Sequence, residues 1–319
     1  MKMVTNLNNK KILVTGGKGF LGQWVIKELI NNGAQDIIIP PSDTCDLRDS
    51  ISCFRAMENA DLCVHLAARV GGIGLNNARP ADLFFDNMIM GVNIIHMAQM
   101  MKLEKILVVG TICAYPKFTP VPFKEEDLWC GYPEETNAPY GIAKKSLLVY
   151  LQACRKQYGL NGIFLLPVNL YGPGDDFDPD SSHVIPALIK KVYESRESNA
   201  DHVDVWGTGK ATREFLYVED CAEGIVKALI NYDKPDPINL GKGFEISIKD
   251  LVDKIVLLMG FDGEVVWDSS KPDGQPRRML DTSKAEKEFG FKAKTSFDEG
   301  LLKTIRWYEG EKRSDTDKG

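Results

Sequence analysis

Apolar residues in the first half of the chain gather in short consecutive runs at 11–14, 36–39, 62–66, 105–109 and 162–166, each separated from the next by a longer helical or loop stretch. Runs of this kind, apolar on successive rather than alternate positions, predict strands of a parallel sheet buried on both faces. Residues 24–32, 82–101 and 143–158 instead carry apolar side chains at helical spacing, and Gly33 suits the end of the first of these. The two longer stretches are rich in Met, Ile, Leu and Ala, which predicts helices covered on more than one side.

After Tyr171 the pattern changes. Gly172-Pro173-Gly174-Asp175-Asp176 and Asp178-Pro179-Asp180 predict a turn-rich loop ahead of a helix at 185–195. Residues 215–230 read as a helix and 238–241 as a strand, both returning to the first lobe, and the segment from Ser247 supplies most of a second lobe. The fold class predicted is α/β, a Rossmann-type doubly wound parallel sheet with a smaller C-terminal α/β substrate lobe. The expected boundaries are 1–171 plus about 214–242 for the dinucleotide-binding domain and about 172–213 plus 243–309 for the substrate domain. Residues 310–319, wholly polar apart from glycine, read as a flexible tail.

Composition narrows the function. With 45 acidic and 39 basic residues, a net charge of −6 and no dense basic block, the chain lacks the footprint of a nucleic-acid binder. No stretch has the apolar length of a membrane span or signal peptide, so a cytoplasmic protein with no membrane partner is expected. Seven cysteines without a CxxC pair and four histidines without ligand spacing predict reduced thiols and no metal.

Chemistry begins at Gly16-Gly17-Lys18-Gly19-Phe20-Leu21-Gly22, which follows the first strand and opens the first helix. Glycines there let the backbone approach a pyrophosphate, which the unpaired N–H groups of the helix start then stabilise. An NAD site usually has a carboxylate closing the second strand to take the ribose 2′-hydroxyl. Here that strand ends Ile39-Pro40-Pro41-Ser42. NADP is therefore expected, with NAD possible, and Lys18 is the candidate partner of a 2′-phosphate. Asp46 and Leu47 suit the adenine edge.

Tyr140 and Lys144 stand four apart, on one face of a helix. A lysine ammonium near the phenol would draw its pKa down from about 10, letting the tyrosine exchange a proton with a carbonyl oxygen while a nicotinamide moves a hydride. Thr111, after the strand at 105–109, could donate to the same oxygen.

Several blocks then resemble GDP-L-fucose synthases and their relatives among extended short-chain dehydrogenases. They are Val70-Gly71-Gly72-Ile73 with Asn76-Asn77, Cys113-Ala114-Tyr115-Pro116, Asn137-Ala138-Pro139-Tyr140, Asn169-Leu170-Tyr171-Gly172-Pro173, Ser182-His183-Val184-Ile185-Pro186, and Val205-Trp206-Gly207 through Arg213-Glu214-Phe215. The resemblance spans nearly the whole chain. It implies epimerisation by Cys113 and His183 at the carbons flanking a 4-keto group, followed by reduction at C4. It implies cofactor contacts from Leu66, Ala67, Ala68, Pro167, Asn169, Leu170 and His183 beside the glycine loop, Tyr140 and Lys144. GDP-sugar contacts are implied for Asn169, Lys191, Trp206, Arg213 and Lys271, and a homodimer through the two long helices. Thr111 and Lys18 depart from the serine and arginine usual in that family. An epimerase retaining its dinucleotide, a single-function relative and a non-catalytic dinucleotide sensor remain the alternatives.

Overall fold

The computed structural model describes residues 5–179, 181–271 and 273–316. The elements in chain order are β1 (Lys11–Thr15), α1 (Phe20–Asn31), β2 (Asp36–Ile38), α2 (Ser50–Met57), β3 (Leu62–His65), α3 (Ile73–Ala78), α4 (Pro80–Met100) and β4 (Lys105–Val109). Two 3₁₀ turns, Ile112–Ala114 and Glu125–Trp129, lead to α5 (Ala138–Tyr158), β5 (Gly162–Pro167), β6 (Asn169–Tyr171) and α6 (Val184–Glu197). Then follow β7 (His202–Trp206), β8 (Thr212–Tyr217), α7 (Val218–Asn231), β9 (Ile238–Leu240), β10 (Glu245–Ser247), α8 (Ile248–Met259), β11 (Glu264–Asp268), β12 (Arg277–Arg278), α9 (Ser283–Phe289) and α10 (Phe297–Thr316).

Six parallel strands form the main sheet in the order β2-β1-β3-β4-β5-β9. Its central strands are buried throughout, so their apolar runs are those of a sheet covered on both faces. The chain leaves β1 toward β2 on one side and β3 on the other. That reversal opens a crevice at the carboxyl ends of the strands, where such sheets bind ligands.

A second apolar core joins Tyr171, Ile185, Ile189, Phe215, Leu251, Ile255, Leu301 and Ile305. It packs around a sheet in which β8 is central: β10 and β12 flank it and β6 pairs it in parallel. Ser247 caps α8 by accepting from the Asp250 N–H, an interaction generally worth about 1 kcal/mol.

Three expectations change. Residues 215–217 complete a strand, and the helix expected from 215 begins at Val218, because Phe215, Leu216 and Tyr217 pair with Asn169, Leu170 and Tyr171. The expected boundary at 213/214 consequently falls inside β8, and β6, expected in the first domain, lies in the second sheet. The stretch expected to be a flexible tail from 310 continues as helix to Thr316, with residues 317–319 outside the described part. Leu301, Ile305 and Tyr308 anchor that helix in the second core, and the Glu, Lys and Arg that follow are good helix formers.

Candidate active site

The carboxyl ends of β1, β3, β4 and β5 face the second core across a cleft of about 1820 Å³. At its floor Thr15 ends β1, and its Oγ1 lies 2.7 Å from His65 Nδ1 while accepting from the Ala67 N–H at 3.3 Å. This knot joins the glycine turn to the segment 66–68. His65 is buried and stays neutral: dehydration, reinforced by the Lys144 cation, lowers its pKa to about 3.

The helix behind the glycine turn starts without a side-chain cap and with no acidic residue in its first turn, so its N–H groups and positive dipole end face the cleft. A Cβ at Gly22 would stand 2.2 Å from the Gly16 carbonyl oxygen. The turn thus closes tightly only with glycine there, and the cradle fits a dinucleotide phosphate. Lys18 is exposed at the rim and makes no ion pair among the described residues. Arg48, on the same rim, is already held by Asp46 and Asp86.

The other wall is α5. Pro139 sits in its first turn, and Glu134 holds its entry by accepting from the Asn137 N–H and side-chain amide at 3.3 and 2.8 Å. Where α5 crosses the Ile112–Ala114 turn, a Cβ at Gly141 would lie 2.3 Å from the Cys113 carbonyl oxygen. Glycine at 141 therefore sets Tyr140 against Thr111 and Cys113. Because backbone on both sides would have to move, Gly141→Ala is expected to cost about 1–3 kcal/mol and to lower the melting temperature, which thermal unfolding followed by circular dichroism would measure.

The Thr111 hydroxyl accepts from the Cys113 N–H at 3.2 Å and stands beside the Tyr140 phenol. Burial pushes the phenol's pKa up, the neighbouring Cys113 adds to this, and Thr111 opposes it. Here an expectation is corrected: Lys144 does not draw the phenol down. The lysine is itself buried and faces His65, and dehydration alone lowers its pKa to about 8. Tyr140 is therefore a proton donor at neutral pH.

His183 precedes α6 and makes no cap hydrogen bond through its ring. The ring is exposed to the cleft but closely walled by protein on its other sides, and this partial dehydration lowers its pKa against the pull of the Asp176 carboxylate. Further out, Lys191 donates to the Asp204 carbonyl at 3.0 Å. Lys191 and Lys271 lie 5.3 and 5.4 Å from the Trp206 ring centroid. Trp206 is 62% exposed and lines the cleft, so it is a cleft wall rather than core packing.

Every residue given a catalytic, cofactor or substrate role from the sequence lines this cleft except Lys271, which reaches it only through Trp206. Asn169 is there too, its amide donating to the Glu214 carbonyl. Sequence reasoning missed Gln275 and Arg278. Gln275 donates to the Lys117 carbonyl at 2.8 Å and accepts from Arg278 Nε at 2.7 Å, while Arg278 Nη1 reaches Cys113 Sγ at 3.6 Å. Their burial was the signal, a polar pair inside an otherwise loop-like stretch, and it is invisible without the fold.

A parallel-sheet crevice with a glycine cradle and a Tyr-x-x-x-Lys helix defines a dinucleotide-dependent enzyme, and the chain belongs to the NAD dependent epimerase/dehydratase family, which its residues 12–241 match. It is 40% identical to a GDP-L-fucose synthase of Sinorhizobium fredii over 300 residues, covering 93% of this chain and 95% of that protein. Among solved structures it is similar to a GDP-6-OMe-4-keto-L-xylo-heptose reductase from C. jejuni, with a TM-score of 0.90, 26% identity, and 97% and 99% of the two chains covered. A GDP-L-fucose synthetase from Naegleria fowleri bound to NADP superposes with a TM-score of 0.88 at 27% identity, covering 98% of each chain.

Proposed function

We propose that this chain is an NADP(H)-dependent nucleotide-sugar epimerase/reductase that acts on a GDP-4-keto-6-deoxy sugar, in the manner of a GDP-L-fucose synthase. The observation that carries the reading is the gathering of Thr111, Cys113 and Tyr140 around one point of a cleft that His183 also faces. A ketone at C4 acidifies the protons on C3 and C5. Cys113 and His183 take up and return those protons, on opposite faces of the ring as inversion requires. Charge that develops on O4 is stabilised by the hydroxyls of Tyr140 and Thr111, and Tyr140 protonates O4 during the reduction. Bound NADPH supplies the hydride. The glycine turn, Asp46, Leu47, Leu66, Ala67, Ala68, Pro167 and Leu170 would hold it, with Lys18 toward the 2′-phosphate. The GDP portion falls to Asn169, Lys191, Arg213 and Lys271, with Trp206 under the base. Seven unpaired cysteines suit a reducing compartment, and we place the enzyme in the cytoplasm.

Mixing the protein with GDP-4-keto-6-deoxymannose and NADPH or NADH tests this. Oxidation of NADPH in preference to NADH, with GDP-fucose identified by NMR, is the expected result. Deuterium entering C3 or C5 from solvent without cofactor oxidation would instead identify an epimerase, and reduction without exchange a single-function reductase.

Lys144 gives the cofactor step a pH dependence. Its pKa of about 8 means the ammonium is present below that pH and lost above it. NADPH affinity, followed by fluorescence titration, should therefore weaken several-fold as pH rises through about 8, and Lys144→Met should flatten the profile.

We further propose a homodimer through α4 and α5, where Phe85, Met100, Val149 and Tyr158 expose large apolar surface. Phe85→Glu should shift the sedimentation coefficient from dimer to monomer.

A further inference from the structure

Arg278 is 7% exposed, forms no ion pair among the described residues, and yet lines the cleft. Its position is enforced from three sides. Strand β12 aligns it with Arg213 on β8. Two residues on, the Leu280 N–H is pinned to the buried Glu214 carboxylate at 2.6 Å. Gln275, itself tied to the Lys117 carbonyl, fixes the guanidinium plane through Nε. What remains of the fork points at sulfur, with Nη1 3.6 Å from Cys113 Sγ.

The other charges around that sulfur do not duplicate the contact. Arg213 interacts with Cys113 electrostatically, but its own donors go to the Thr212 and Asp273 carbonyls at 2.8 and 3.0 Å. Glu134 interacts electrostatically with the two arginines, and its Oε2 accepts from Thr136 and Asn137. Tyr140, from α5, approaches the sulfur as a neutral phenol. An anion forming at Sγ thus meets one directed, desolvated cationic donor, and a guanidinium held in a fixed plane is suited to that role.

We propose that Arg278 is the positioning residue that aims the Cys113 sulfur into the cleft and meets the negative charge it carries as the base that begins epimerisation. The proposal rests on the epimerase reading for its chemistry. The thiolate takes a ring proton and an S–H bond forms as the C–H bond breaks. The electron pair passes to the C4 oxygen as an enolate, and the proton for the opposite face comes from His183, which takes up the Cys113 proton as the thiolate forms, since its lowered pKa keeps the resting imidazole neutral. Thiolate and imidazolium together carry the same single proton as thiol and imidazole, so the pair begins the cycle in balance.

Alkylation of Cys113 by iodoacetamide tests this without substrate. The intact protein is treated across pH 5–10 and the Cys113 peptide is quantified by mass spectrometry, with exposed Cys130 as the internal reference. In Arg278→Met the Cys113 rate at pH 7 should fall about tenfold, as expected for loss of one contacting cation, and its pH profile should move to higher pH. Arg278→Lys should recover to within about threefold, because it restores the charge without the fork. Gln275→Leu, which frees the guanidinium plane, should give an intermediate loss, and it decides the matter with Arg278→Lys if the methionine variant does not fold. A folded Arg278→Met or Gln275→Leu protein with the wild-type rate and profile overturns the proposal. The readout is independent of turnover: an Arg278-dependent profile in a protein that exchanges no substrate deuterium would defeat the epimerase reading and leave the Arg278–Cys113 assignment standing.

Discussion

Tyr140→Phe should abolish reduction at C4, with the rate of NADPH oxidation falling about 10²–10⁴-fold, the range set by loss of a positioned proton donor. The phenol is the group that can protonate O4 at neutral pH, since burial and the adjacent Cys113 hold its proton on and only Thr111 pulls the other way. Solvent exchange at C3 and C5 should fall less than reduction, because the Thr111 hydroxyl still stabilises the enolate oxygen. NADPH binding should stay close to wild type, since Lys144 and the glycine turn are untouched. Single-turnover absorbance at 340 nm, with the exchange followed by NMR in deuterium oxide, separates the two steps. A variant that reduces at the wild-type rate would remove Tyr140 from the chemistry.

Cys113→Ser should silence the other half. A serine hydroxyl in place of the thiol is a far weaker acid and a poor base at neutral pH, so deuterium incorporation at the epimerised carbons should fall about 10²–10⁴-fold. Cofactor binding should be retained, and so should reduction of a 4-keto sugar supplied already epimerised. The local fold should survive because the Cys113 N–H, not its sulfur, makes the bond to Thr111 that shapes this turn. Exchange at the wild-type rate would end the proton-shuttle assignment and move the base to His183 alone. The two substitutions together ask whether one cleft carries two separable reactions.

How far the chain could be read without its fold follows the range of the interactions concerned. The strand runs of the main sheet were legible to within a residue or two, because a strand covered on both faces must be apolar at consecutive positions. Residues 215–217 were not: their apolar character suits helix and strand alike, and pairing with Asn169–Tyr171 chose strand. The polar C-terminal stretch was misread for a related reason, since its helix is anchored by Leu301 and Ile305 inside the second core rather than by its own last residues.

The same division runs through the site. The sequence by itself determined the parallel-sheet class, the glycine turn at 16–22 and the Tyr140–Lys144 pair, each a matter of spacing within a few residues. Only the tertiary structure decided that Thr111 rather than Lys144 answers the Tyr140 phenol, that Trp206 is a cleft wall, and that Arg278 meets Cys113 from 165 positions away. Local spacing dictates which backbone forms and which side chains share a face. The electrostatic partner of a catalytic group depends on burial and on contacts across the chain, which exist only once the two cores have packed.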